Sequence, residues 1–387
     1  MGNADSAPEG RFGHEAALDG DNLFVWGGVQ SHNAQRSTVK FADRRDVWCF
    51  DTNACRWNKK RAKAETKSDV PPPCVDARCA VVDGTVYSFG GCSDVKSWSC
   101  LNDVYALDLD ELRWTRVAVE GDRPTRRTAC GMCSVQGGIL VVGGYGRRIE
   151  GRLAVGARFI ENPDYPQNGW SNEVLMFSPL SCSWRPLHTK TSTPLPRAHH
   201  SLTACQQHTV VLFGGRSQIG RLSDLHILNM LTEEWVEVLL GPSKPEPRAA
   251  HTASYLSSDY ILVLGGWNQY EHVARHNYTL DIKSGNVQKV TFVGQSTDRS
   301  NHSICCQQCQ DGAMSVTVFG GTKDPVCLDK MGLNDIIVYR WEPSQPSVLE
   351  EIHASNRKSL EVKRITATNG KHKLTSGTEP NVLAGIN

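Results

Sequence analysis

Six apolar runs in this chain close on a pair of glycines, at residues 23–28, 86–91, 140–144, 211–215, 262–266 and 316–321. No other feature narrows the fold as much, because self-similarity at a fixed spacing means a chain of repeated supersecondary units. Each double glycine is followed by a polar loop and a second run, at 46–51, 102–108, 172–177, 223–228, 278–281 and 334–339. A tryptophan comes next in four units (Trp57, Trp114, Trp184, Trp235); the fifth has Val287 there, and in the sixth Trp341 comes too early. Alternating runs of four to six residues read as strands with two different faces. Paired glycines suit a turn with positive φ or a close backbone approach. A late tryptophan supplies a large apolar area to fill a wedge between units.

An Arg-x-x-His-like opening stands before most of the double glycines, at Arg11/His14, Arg197/His200, Arg248/His251 and Arg299/His302. Opening, double glycine and late tryptophan together resemble kelch repeats, whose period is about 50 residues. The resemblance covers about residues 10–343 and implies an all-β fold, a six-bladed kelch β-propeller in which each unit is a four-stranded antiparallel blade. The expected division is a leader over 1–10, the propeller over 11–343 and a polar tail over 344–387. The last blade's fourth strand comes either from Trp341 onward or from the leader. Two regions break the period: an insertion over 146–169 in the third unit, and the tail. The tail has weak helical spacing at Val348, Leu349 and Ile352 and at Leu360, Val362 and Ile365, and reads as disordered from Thr368.

Charge and cysteine usage exclude several classes. Lys and Arg number 42 against 41 Asp and Glu, so no global field argues for nucleic acid. No apolar run reaches the ~18 residues of a membrane span, and the N-terminus has no apolar core for a secretory signal; the expected location is cytoplasmic, nuclear or both. Gly2 with Ser6 fits the myristoylation pattern and is the candidate lipidation site, the other reading being an untethered leader. Fourteen cysteines in such a chain read as reduced thiols. The pairs Cys130/Cys133 and Cys306/Cys309 could ligate zinc, but each falls in an apolar strand of a different repeat, so buried structural cysteine is expected, with no metal and no cofactor. Strand-end His199 and His200 read as histidines satisfied by backbone groups. Neither the export signal of a copper radical oxidase nor the Glu-x3-Asp-x3-His spacing of the iron-dependent specifier proteins occurs, so no enzyme is expected.

In an antiparallel blade the residues after each double glycine and those of the openings gather on one face around the axis. The former are Val29, Cys92, Tyr145, Arg216, Trp267 and Thr322; the latter include Arg197, Arg248 and Arg299. Aromatic rings with guanidinium groups suit an anionic ligand with an apolar body. The opening arginines read first as ties to backbone carbonyls. Arg216 and Arg221, with no acid between them, read as an anion clamp or as solvated loop charges.

The run from Phe213 to His226, with Gly143–Gly146, Gly169-Trp170-x-Asn172, Arg11-x-Gly-His14 and residues 24–28, resembles the kelch domain-containing substrate receptors of cullin–elongin ubiquitin ligases. Those receptors bind the extreme C-terminus of proteins ending in glycine. The resemblance implies that Arg216 and Arg221 hold the terminal carboxylate and that Tyr145 and Trp170 wall the pocket. Ala249 stands where the family has a carboxylate-binding serine, Ala250 and Asn301 where it has tryptophans, and Trp267 lies on the same face. Protein C-terminal peptides, elongin B/C and a cullin are the implied partners. The segment 359–364, nearest to an elongin-binding box, has Arg364 at the cysteine position. The competing reading is a non-catalytic kelch scaffold that binds a folded partner.

Overall fold

Each pair of runs folds as the two central strands of a blade. A computed structural model describes residues 7–33, 38–94, 96–148, 156–206, 208–257, 259–295, 297–323 and 329–354. The chain divides into a unit of residues 1–356 and a unit of residues 357–387; the second lies outside the described residues, as does Gly2. In the first unit, six antiparallel sheets follow one another along the sequence, each ordered from an inner to an outer strand. The inner strands are Glu15–Asp19, Arg78–Val82, Gly131–Val135, Ser201–Ala204, Thr252–Tyr255 and Ser303–Gln308. Each packs beside the next and the last beside the first, which closes a six-bladed β-propeller. No helix among the described residues is long and apolar enough to cross a membrane.

The cores lie between blades. Trp57, on the outer strand of blade 1, packs against Phe319 of blade 6 with ring centroids 5.2 Å apart. Trp114 of blade 2 meets Trp26 of blade 1 at 6.1 Å, and Trp184 of blade 3 meets Phe89 of blade 2 at 4.9 Å. Trp235 of blade 4 joins Leu140 and Val142 of blade 3. A tapered gap between twisted sheets is widest at the outer strands, and the largest side chain fills it. Blade 5 uses Val287 there, against blade 4.

Blade 6 corrects the expected boundary at residue 343. Its fourth strand is Val348–Ala354, paired antiparallel with Ile336–Trp341, and Leu349 is fully buried in the blade 5–6 core. The helical spacing of Val348, Leu349 and Ile352 loses to the unpaired backbone edge of the preceding strand. Thr291–Val293, leaving blade 5, adds in parallel to the outside of this strand. The described leader residues, 7–10, supply no strand to blade 6, but Ala7 packs into the core between blades 1 and 6. The insertion in unit three builds a small added sheet: Tyr165–Ser171 pairs with both Tyr145–Arg147 and Phe159–Asn162.

Openings and glycines tie the blades together at one end. The arginines Arg11, Arg127, Arg197, Arg248 and Arg299 are all buried. Each donates from Nη1 to the carbonyl of the first glycine in its own blade's pair, at 2.9–3.2 Å. Four are also ion-paired: Arg127 with Glu173, Arg197 with Asp224, Arg248 with Glu246 and Arg299 with Asp335. Both glycines of every pair have positive φ. At Gly265 a Cβ would stand 2.0 Å from the Arg299 carbonyl oxygen of the next blade. The glycine pair is therefore where one blade's turn meets the next blade's opening, a contact with no room for a side chain.

Candidate functional site

The third residue of each opening forms a closed hydrogen-bonded ring about the axis. The N–H of Asp76 donates to the carbonyl of Gly13, Ala129 to Asp76, His199 to Ala129, Ala250 to His199, Asn301 to Ala250 and Gly13 to Asn301, all at 2.8–3.0 Å. All six have φ between +51° and +58°, a conformation costly for non-glycine residues that the surrounding ladder imposes. The ring stands at one end of an axial channel of about 220 Å³ lined by the inner strands.

Four opening histidines line that channel and are buried neutral. His14 is pushed down to about 3 and His251 to about 3, both by burial first and neighbouring arginines second. His200 and His302 are pushed well below the ordinary value for the same reasons. Three of them bond to hydroxyls of the preceding blade: His14 Nε2 to Ser303 Oγ at 3.0 Å, His251 Nε2 to Ser201 Oγ at 3.0 Å and His302 Nε2 to Thr252 Oγ1 at 2.7 Å. Hydroxyls thus hold these three rings; the backbone groups expected for His199 and His200 are not found at His199 Nδ1 or at either ring nitrogen of His200 among the described residues. His200 differs because Gly131 occupies the facing position, and neither of its ring nitrogens has a partner among the described residues. No group of three or more His, Cys, Asp or Glu among the described residues could hold a metal.

Outside the ring, the second opening residue of each blade bridges to the residue after the double glycine: Phe12–Val29, Val75–Cys92, Thr128–Tyr145, Ala198–Arg216, Ala249–Trp267 and Ser300–Thr322. Four of the six candidate residues, Tyr145, Arg216, Ala249 and Trp267, lie at these bridges in blades 3 to 5, and Trp170 and Arg221 join them as the strand partners of Tyr145 and Arg216. Tyr145 and Trp170 are each 5 % exposed and stack edge-on at 5.3 Å, with Ala198 beside them. Trp98 of blade 2 closes on Tyr145 at 4.8 Å. The Tyr145 hydroxyl accepts from Asn162 Nδ2 at 3.0 Å, and burial pushes its pKa up. Both rings are packed into the structure more than they wall an open cavity.

Blade 4 departs from the other blades. Its strands Thr209–Ser217 and Gly220–Asn229 run through the double glycine as a bulge and continue to a two-residue turn, instead of ending at the glycines. The extension places Arg216 directly opposite Arg221, a like-charged cross-strand pair that repels. Arg216 is exposed and has no ion-pair partner among the described residues. Arg221 has a side chain 7 % exposed and is bonded through Nη2 to Glu271 at 2.6 Å; its buried Nε has no acceptor among the described residues. The absence of an acid between the two arginines in sequence is thus answered by an acid 50 residues away in blade 5. Both arginines, after burial and together with Arg78, push His199 down, to about 4, against the opposite pull of Asp76. Ile219 and Tyr270, strongly exposed, lie in the two turns that carry Arg221 and Glu271.

The profile of the KLHDC2/KLHL20/DRC7 Kelch-repeats domain matches residues 3–155 and 164–321. The chain belongs to this kelch family. It is 29 % identical over 349 residues to Kelch domain-containing protein 2 of Bos taurus, covering 87 % of this chain and 82 % of the relative. It is 26 % identical over 346 residues to human Kelch domain-containing protein 1, covering 87 % and 81 %. A more distant match, 23 % over 268 residues, is Acyl-CoA-binding domain-containing protein 4 of Arabidopsis thaliana, of which it covers 36 %. Like other kelch propellers, the chain is a repeat protein that presents a binding surface. What the sequence missed was Glu271, and the second and third openings, at 74–77 and Arg127–Cys130, which lack the histidine.

Proposed function

We propose that this kelch propeller is a non-catalytic substrate receptor that binds protein C-termini, in the cytoplasm or nucleus, for a cullin-RING ubiquitin ligase through elongin B/C. The observation that carries the reading is the Arg216–Arg221 pair: two arginines directly opposite each other, with a single acid that reaches Arg221 alone and buried donor capacity left over at Arg221. A carboxylate is the group whose geometry matches such a fork. Each charge-assisted hydrogen bond contributes about 1.5–3 kcal/mol, and an internal peptide segment carries no such charge, so termini are preferred. Ile219 and Tyr270 offer apolar surface for the residues preceding the terminus. Ala249, buried beside Trp267, offers no hydroxyl to the carboxylate.

A scaffold for a folded partner is the second reading. It is favoured by the burial of Tyr145 and Trp170, which leaves the face shallow around Arg216. Two experiments separate the readings. The receptor reading expects that Arg216→Glu abolishes capture of glycine-ending peptides, and that elongin B/C co-purifies with the full chain. Intact capture by Arg216→Glu contradicts the carboxylate clamp, and absence of elongin B/C contradicts the ligase role.

A further inference from the structure

We infer that Glu271 is a built-in carboxylate competitor at the arginine pair, setting how strongly a ligand's own carboxylate must bind. The inference rests on the terminus-binding reading and deepens it. Three observations support it.

The first is that Glu271 is delivered by a rigid loop. Asn268, 8 % exposed, accepts from the N–H of Tyr270 at 3.0 Å and of His272 at 3.2 Å through Oδ1. Its backbone N–H donates to the carbonyl of His272 at 2.8 Å, and the N–H of Glu271 donates to the Asn268 carbonyl at 3.2 Å. Its Nδ2 donates to Glu246 Oε2 at 3.2 Å. Glu271 itself has φ +59°, a left-handed conformation that a glutamate does not adopt without such bracing. The second is that the receiving end is fixed too: Arg221 is nearly buried and locked in register opposite Arg216. The third is chemical identity. Glu271 presents to Arg221 the same group that a peptide terminus presents, and 48 % of its side chain is exposed, so it can be displaced.

An incoming carboxylate therefore replaces Glu271 at Arg221 or binds beside it against repulsion. Both routes reduce affinity. Once displaced, the Glu271 carboxylate faces the ligand, and a Lys or Arg shortly upstream of the terminus gives it a new partner. The ligand class is thus a protein terminus with a free α-carboxylate and a nearby basic residue. An ion pair with one half-exposed member contributes up to about 1 kcal/mol, so removing the competitor tightens binding about three- to tenfold once relief of ligand repulsion is added.

The test is fluorescence polarisation with the full chain and glycine-ending peptides, as free acids and as amides, with Lys or Ser upstream. Glu271→Gln is expected to bind the Ser-containing acid about three- to tenfold tighter than wild type, to leave the amide unchanged and to lose the preference for Lys. Glu271→Gly, which relieves the positive φ, is expected to behave alike and controls for loop distortion. Arg216→Glu reports on the underlying site. If wild type binds the acid through Arg216 and neither Glu271 variant is tighter, the competitor role is overturned while the terminus reading stands. If no protein, Glu271→Gln included, separates acid from amide, both fall together.

Discussion

Arg197→Met is expected to lower the melting temperature by about 4–7 °C. Arg197 is 1 % exposed and holds Asp224 with two bonds of 2.7 Å, from Nη1 to Oδ1 and from Nη2 to Oδ2. It also donates to the carbonyls of Leu195 and Gly214, each at 2.9 Å. Burial alone would raise the Asp224 pKa; the bonds from Arg197 and His226 outweigh it and hold the carboxyl well below the usual range. Methionine fills the space of the stem, leaves two carbonyls without their donor and leaves that carboxylate with His226 alone. Removing one partner of a buried pair costs about 3–5 kcal/mol. Unfolding entropy of about 2.1 cal/mol/K per residue gives about 0.7 kcal/mol/K for a fold of roughly 340 residues, hence the stated shift. Differential scanning calorimetry checks it, with Asp224→Asn added to the Met variant to remove the stranded charge. The double variant is expected to melt above Arg197→Met by at least about 2 °C, the sign of direct coupling. A single-variant shift under 1 °C, or strictly additive losses, would refute the claim that the opening arginines are buried ties.

Gly265→Ala is expected to prevent accumulation of folded protein, because its Cβ would meet the Arg299 carbonyl oxygen at 2.0 Å, whereas Gly84→Ala, with equally positive φ and open space, costs only about 1 kcal/mol; expression and thermal melts compare them. Acid is expected to destabilise the fold through His14, His200, His251 and His302. Their folded pKa values lie below the unfolded ~6.5, so the unfolded chain binds more protons and stability, complete above about pH 7, falls as pH drops through 6.5 toward about 3. Between pH 7 and 5.5 the loss is on the order of 1 kcal/mol per histidine, read as a falling denaturation midpoint. Truncation after residue 343 is expected to lower the melting temperature by removing the strand that buries Leu349, as thermal melts of the shortened and full chains check.

The blades were legible because they depend on side-chain type. Alternation, paired glycines and a late tryptophan are each enforced by packing or sterics, so they recur as letters. The ring over the channel was not legible, because it is made of backbone groups. Gly13, Asp76, Ala129, His199, Ala250 and Asn301 share a conformation and no side chain; only the glycine, aspartate and asparagine hint at positive φ. The strand Val348–Ala354 was half legible: the chain from Trp341 onward was one of two expected sources of the last blade's fourth strand, and its helical spacing obscured it because an edge strand can borrow its order from a neighbour's unpaired backbone. At the site, the arginine pair was visible from its spacing. Its acid was not: Glu271 lies in the next blade, and only the packing of blade 5 beside blade 4 brings it to Arg221.

Isothermal titration of the full chain with one glycine-ending peptide, as free acid and as C-terminal amide, tests the central claim most directly. The account predicts saturable binding of the acid, at least tenfold weaker binding of the amide, and loss of the difference in Arg216→Glu. Equal binding of acid and amide by the wild-type chain would contradict it.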